Sequence, residues 1–228
     1  MEIQEKYYYL LPYAVMGNEY MWWDAGEAGF TEGIQDRGAY INNAIADPDY
    51  EAPIGTDSDG TFANFNVSSL ILENTYFFNT EDTDFLFFAL QKYEGDLATT
   101  ERGNIVDFAS DRTLLTYPAG TSPNFGLAMV ASPNPNFYTS NGTITNNYEV
   151  IRVNMQSDKS FEIFKNNISL ASTSNFIPMT LIGSGRLGSN NSSPTTQNYL
   201  GKLYHLVIIK GRKTLSEINA LQTYFENI

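Results

Sequence analysis

The feature that most constrains this chain is a run of strict alternation that ends in paired asparagines. From Tyr148 to Met155 (YEVIRVNM), Ile151, Val153 and Met155 share one face while Arg152 and Asn154 point the other way. That is the two-residue period of a half-buried β-strand. Ser157-Asp158-Lys159 then supplies a turn, FEIF a second strand, and Lys165-Asn166-Asn167-Ile168 a tight hairpin. Asparagine suits the hairpin because it tolerates the left-handed backbone that short loops demand. The segment reads as a β-meander.

Further strands are expected over 20–23, 61–65, 69–72, 85–91, 105–109, 125–130, 179–182 and 200–209, separated by clusters of Gly, Pro, Asn, Ser and Asp. Such punctuation belongs to an all-β sandwich. Aromatic residues make up 14% of the 228 residues, which favours strands, and the 17% charged content is that of a globular chain. One helix is expected, at the C-terminal end. Thr214 and Glu217 form a T-x-x-E capping box, and Leu215, Ile218, Leu221, Tyr224 with Phe225, and Ile228 recur at helical spacing. With no internal repeat and no linker, the simplest division is an arm over 1–19, available for an assembly contact, and a single domain over 20–228.

Charge and cysteine usage narrow the function. A formal net charge of -13 opposes any partner with a phosphate backbone, since nucleic-acid binding depends on Lys and Arg displacing counterions. An anionic membrane surface is disfavoured for the same reason, and no segment is long and apolar enough to span a bilayer. The absence of cysteine removes disulfides, thiolate metal sites and a cysteine nucleophile. The first residues, MEIQEKYYYLLPY, are acidic at the start and broken by Pro12, unlike a secretory signal, so the expected mature start is Met1.

The run GKLYHLVIIKGRKTLSEINALQTYF from Gly201 resembles the closing strand and helix of concanavalin A-like, laminin G-like jelly rolls. Weaker echoes lie in Trp22-Trp23-Asp24-Ala25, Asp36-Arg37-Gly38 and Pro48-Asp49-Tyr50. DTDFLFFALQK resembles a core strand of that family, and FEIFKNNISL its strand-turn-strand, with Asn167 where a glycine is common. The resemblance covers roughly residues 20 to 228. It implies a sandwich of two curved antiparallel sheets with sugar or protein bound at loops or the concave face.

Several constellations bear on chemistry. The spacing G-x-G-x-x-G at Gly183, Gly185 and Gly188 lacks the helix a dinucleotide loop requires, because Ser189 to Pro194 suits a loop. Its glycines read as the exit from a strand. Glycosidases of this fold use E-x-D-x-x-E, and Glu94-Gly95-Asp96 is followed by Thr99 where the third carboxylate belongs. His205 is the sole histidine, so a two-histidine metal site is impossible and a structural strand role is expected. Asp57 and Asp59 of Asp57-Ser58-Asp59-Gly60 could offer oxygens to calcium, but they fall short of a full ligand set and suit a turn.

Trp22 and Trp23, as strand neighbours, should face opposite sides. One enters the core; the other is either a stacking platform for a sugar ring or a cover for a sandwich edge or oligomer contact. Neutral polar groups in loops, Tyr138, Asn141, Asn190, Asn191 and Tyr199, suit sugar hydroxyls, and Arg186 joins them as a residue that could touch a partner. The expectation is a non-catalytic, lectin-like domain that recognises cell-surface or environmental glycan without a cofactor. Display on a bacteriophage virion, as a spike, fibre or decoration beside other virion proteins or sister subunits, reconciles an external role with the absent signal. An extracellular bacterial carbohydrate-binding protein is a further setting. The competing readings are a purely structural assembly module and a divergent glycoside hydrolase.

Overall fold

A computed structural model describes residues 14–17, 20–26, 33–34, 37–38, 43–66, 68–73, 78–79, 84–96, 103–108, 112–118, 125–130, 136–138, 144–156, 160–173, 180–181, 185–189 and 198–228. In chain order the strands are β1 (Tyr20–Asp24), β2 (Gly33–Ile34), β3 (Ala44–Ala46), β4 (Ile54–Asp57), β5 (Gly60–Phe65), β6 (Leu70–Leu72), β7 (Phe78–Asn79), β8 (Phe85–Tyr93) and β9 (Gly103–Phe108). They continue as β10 (Arg112–Pro118), β11 (Phe125–Val130), β12 (Asn136–Tyr138), β13 (Tyr148–Met155), β14 (Phe161–Lys165), β15 (Ile168–Thr173), β16 (Thr180–Leu181), β17 (Gly185–Leu187) and β18 (Gly201–Lys210). A C-terminal helix covers Leu215–Phe225. The first sheet runs β15-β14-β13-β8-β18-β5-β4, with β1 also on β18; the second runs β12-β11-β10-β9-β17-β6-β3-β2. β16 and β7 form a small separate pair. All these ladders are antiparallel, so the molecule is a two-sheet jelly-roll sandwich with one C-terminal helix.

Alternation along β8 shows how the layers assemble. Phe85, Phe87 and Ala89 enter the core between the sheets with Ile151, Val153, Leu206 and Ile208. Leu86, Phe88 and Leu90 point the other way, into a second apolar cluster with Ile218, Leu221, Tyr224 and Phe225 of the helix. The first sheet is therefore apolar on both faces over much of its length, and the second face needs the helix. Thr214 caps that helix as expected, its side chain accepting from the Glu217 amide while Glu217 accepts from the Thr214 amide.

This second layer corrects the half-buried reading of β13. Every residue from Glu149 to Met155 is buried, because Arg152 and Asn154 lie under the helix and not in water. Arg152 is 3% exposed. Its Nη1 donates to Gln222 Oε1 at 3.0 Å and to Asn167 Oδ1 at 3.1 Å. The guanidinium lies 3.9 Å from the centre of the Phe164 ring. Burial pushes the Arg152 pKa down from its ordinary value, while Glu162 and Glu226 pull it back up. The expected helix face is shorter than its sequence pattern: Leu215, the first helical residue, is 72% exposed, and Ile228, past the last turn, is 39% exposed.

The paired asparagines behave as their chemistry requires. Asn166 and Asn167 have φ of 46° and 62°, the left-handed region, and join β14 to β15. Of the expected arm, Met16 is buried in the helix-side cluster, and Lys213 Nζ donates to its carbonyl at 3.1 Å.

Candidate functional site

The structure corrects several expected site residues. Trp22 and Trp23 do face opposite sides, but both are 1% exposed. Trp23 fills the core between the sheets, and Trp22 packs edge-on against Tyr224 and Phe225 at 6.1 and 5.7 Å. Neither ring can receive a sugar, because the helix covers the face on which Trp22 would have been open. Tyr199 is fully buried, its hydroxyl donating to Gln91 Oε1. Gln91 in turn donates to Glu149, which also accepts from Thr145 and Lys165. Burial raises the Glu149 pKa, and the Thr145 and Lys165 bonds oppose that rise.

Arg186 lies in a strand, not a loop. β17 pairs with β9 and β6, and Gly188 ends it at φ 82°, where an added side chain would strike the Phe65 ring. The Arg186 guanidinium is committed to Asp47 and to Ser69 Oγ at 2.9 Å, so it clamps β17 to the turn after β3. Burial works to raise the Asp47 carboxyl, but the bonds from Arg186, the Asp49 amide and Ser69 outweigh it and hold the pKa low. Tyr138 closes β12, opposite Ala128. Asn141, Asn190 and Asn191 lie outside the described residues.

His205 keeps a structural role. Its Nδ1 lies 3.3 Å from Trp22 Nε1 and 3.3 Å from Asp24 Oδ1. An indole nitrogen can only donate, so Nδ1 is the acceptor and the ring is neutral. Burial pushes its pKa below the ordinary imidazole value against the pull of Asp24, and Arg37, which pairs with Asp24 at 2.6 Å and stacks on Trp22, adds to the lowering.

What the register does bring together is a shelf at one end of the first sheet, on the face the helix covers further along. Tyr148 pairs with Lys92, Lys92 with Lys202, and Lys202 with Asn64, so one residue from each of β13, β8, β18 and β5 stands in a row. Three strand spacings make the row about 14 Å long. Phe62 and Tyr204 pack beside it, edge to face at 5.7 Å, and the Tyr148 ring meets Tyr204 at 5.2 Å.

The β4–β5 turn and the end of β8 add charge. Asp57 Oδ1 accepts the Asp59 amide at 2.9 Å, which shapes the turn, and Gly60 completes it at φ 132°. Asp57 Oδ2 takes Lys202 at 2.8 Å and the Tyr204 hydroxyl at 3.0 Å. Lys202 also reaches Glu94 at 3.1 Å and lies over the Phe62 ring, and Lys92 reaches Asp59 at 3.4 Å. Burial would raise Asp57, but its bonds from Lys202, the Asp59 amide and Tyr204 leave its pKa lowered. Lys202 is raised, first by Asp57 and then by Glu94. Burial raises Tyr148 and Tyr204 above the ordinary phenol value, with Asp59 adding to the first and Asp57 to the second.

Asp57 and Asp59 stand in the turn that their sequence suits, each paired to a lysine. Calcium needs six to eight oxygens, whereas a lysine ammonium already sits where a dication would stand against Asp57. No cluster of three or more metal-ligating side chains exists among the described residues. A hollow of about 20 Å³ beside Asp84, Asn154 and Ile218 has room for about one water and is far too small for a sugar ring.

No protein-family model matches the chain, and no curated protein matches its sequence. Solved structures do share its fold. The binding domain of Paraclostridial Mosquitocidal Protein 1 superposes with a TM-score of 0.66 at 14% identity, over 93% of this chain and 53% of that one. The botulinum neurotoxin serotype D ligand binding domain, in complex with N-acetylneuraminic acid, gives 0.60 at 10% identity over 95% and 52%. Domain 4 of AbnA, an extracellular arabinanase from Geobacillus stearothermophilus in complex with arabinotriose, gives 0.55 at 17% identity over 75% and 81%. The chain spans about half the length of the toxin domains. At these identities the likeness establishes the architecture, a two-sheet β-sandwich.

Proposed function

We propose that this chain is a non-catalytic carbohydrate-binding domain whose contact surface is the shelf of Tyr148, Lys92, Lys202 and Asn64. The observation that carries the reading is the half-buried Tyr148 ring beside hydrogen-bonding side chains along one sheet end that the helix leaves uncovered. Sugars need both, an apolar ring face to stack on and polar groups for their hydroxyls. Two domains of the same fold have structures in complex with carbohydrate, arabinotriose and N-acetylneuraminic acid. A glycosidase needs one carboxyl kept protonated as an acid that reaches its substrate, and Glu149, which burial raises, is 1% exposed and held by Gln91, Thr145 and Lys165. Asp57 shares Lys202 with Glu94 and is pushed the opposite way.

The setting we propose is the surface of a bacteriophage particle, with host or environmental glycan as the target. A glycan array probed with the protein and with Lys202→Met tests the binding. Retention of a set of glycans by the first and their loss in the second supports the shelf; an empty array contradicts the reading. Mass spectrometry of purified particles tests the setting.

A further inference from the structure

We infer that the shelf selects neutral oligosaccharides and rejects acidic ones, an inference that rests on the carbohydrate-binding reading and names the ligand class. Its charged groups are mutually closed. Lys202 is held by both Asp57 and Glu94, and Lys92 by Asp59. Three carboxylates face two lysines, so the local balance is -1 within a chain of net -13. An incoming carboxylate finds both lysines already neutralised and adds a further negative charge beside Asp57, Glu94 and Asp59. Bringing like charges together in this way disfavours the acidic ligand.

The groups left for a ligand are neutral. The Tyr148 hydroxyl and the Asn64 amide stand at opposite ends of the row and make no side-chain hydrogen bond among the described residues, while both side chains are half-buried. Asn147, exposed, follows beside Tyr148. The central ion pairs still offer hydroxyl groups what they lack for an anion. A carboxylate has about four lone-pair sites and an ammonium three N–H bonds, so Glu94 and Lys202 can each serve a sugar hydroxyl without parting. The geometry is thus two neutral anchors on either side of a zwitterionic centre, with the Tyr148 ring as an apolar edge.

The test uses an array that carries neutral arabino-, galacto- and gluco-oligosaccharides beside the same cores capped with N-acetylneuraminic acid or a uronic acid. The intact chain is compared with Tyr148→Phe, which keeps the ring, and with Asn64→Ala, each checked for unchanged thermal unfolding. The expected result is retention of neutral glycans only, weakened about tenfold in each variant, a change of about 1.4 kcal/mol. Preferential binding of acid-capped glycans overturns the inference and leaves the carbohydrate reading standing. Neutral binding that neither variant alters overturns the inference and the shelf as contact surface, and leaves carbohydrate binding at another site. Binding of nothing on the array overturns both.

Discussion

The outer face of the first sheet has two halves that solve opposite problems with the same strands. Along β8, Leu86, Phe88 and Leu90 lie under the C-terminal helix, while Lys92, two residues further, stands in the open shelf. In β13 the buried Val150 and Arg152 give way to the half-buried Tyr148, and in β18 Val207 and Ile209 give way to Lys202. The covered half holds its cation with hydrogen bonds and a ring, as Arg152 is held by Gln222, Asn167 and Phe164. The open half carries charges in pairs that water can reach. Burial by one helix therefore divides a continuous sheet face into a structural half and an interacting half.

The sharpest way to break this comparison is Phe225→Ala. Phe225 is fully buried, 4.8 Å from the Phe88 ring and edge-on to Trp22. Its removal is expected to cost about 3–5 kcal/mol in denaturant unfolding, whereas a loss of under 1 kcal/mol would mean the helix is not a structural layer. Gln222→Ala, which takes a bond from the buried Arg152, is expected to cost about 1.5–3 kcal/mol in the same assay.

A third prediction concerns pH. The folded pKa of His205 is depressed, so the stability it supports is present above its unfolded value of about 6.5 and is lost as pH falls through the folded value. Unfolding free energy should fall on acidification from about pH 6.5 downward, and His205→Gln should flatten that part of the slope. An unchanged slope in the variant would remove His205 as its source. The smallest stability effect is expected for Lys202→Met in the open half, within about 1 kcal/mol because its pairs are solvent-reached. Its effect belongs instead to glycan binding.

Sequence reasoning reached the elements whose signals are local. The β13 alternation, the asparagine hairpin and the Thr214–Glu217 box each depend on residues within a few positions of one another, and the strand bounds of β11 and β13 coincide with the expected ones. Local signals could not show that the outer face is covered. Arg152 and Asn154 looked solvent-directed because a strand does not record what packs above it, and the exposed Trp platform was lost for the same reason. β17 escaped as a strand because three residues that begin on Gly185 and run into Gly188 carry no visible period. The shelf was legible only in part, through Asp57 and Asp59 at their turn. Tyr148, Lys92 and Lys202 are scattered along the chain and become neighbours only through the register of β13, β8 and β18.

The most direct test of the shelf as the contact surface is a backbone amide shift map of the isotope-labelled protein titrated with arabinotriose. Shifts concentrated at Asp57–Thr61, Lys92–Gly95, Asn147–Tyr148 and Lys202–Tyr204, with the C-terminal helix unmoved, are the predicted result. Saturable shifts that cluster on the helix or the second sheet, and leave those segments still, would contradict the account.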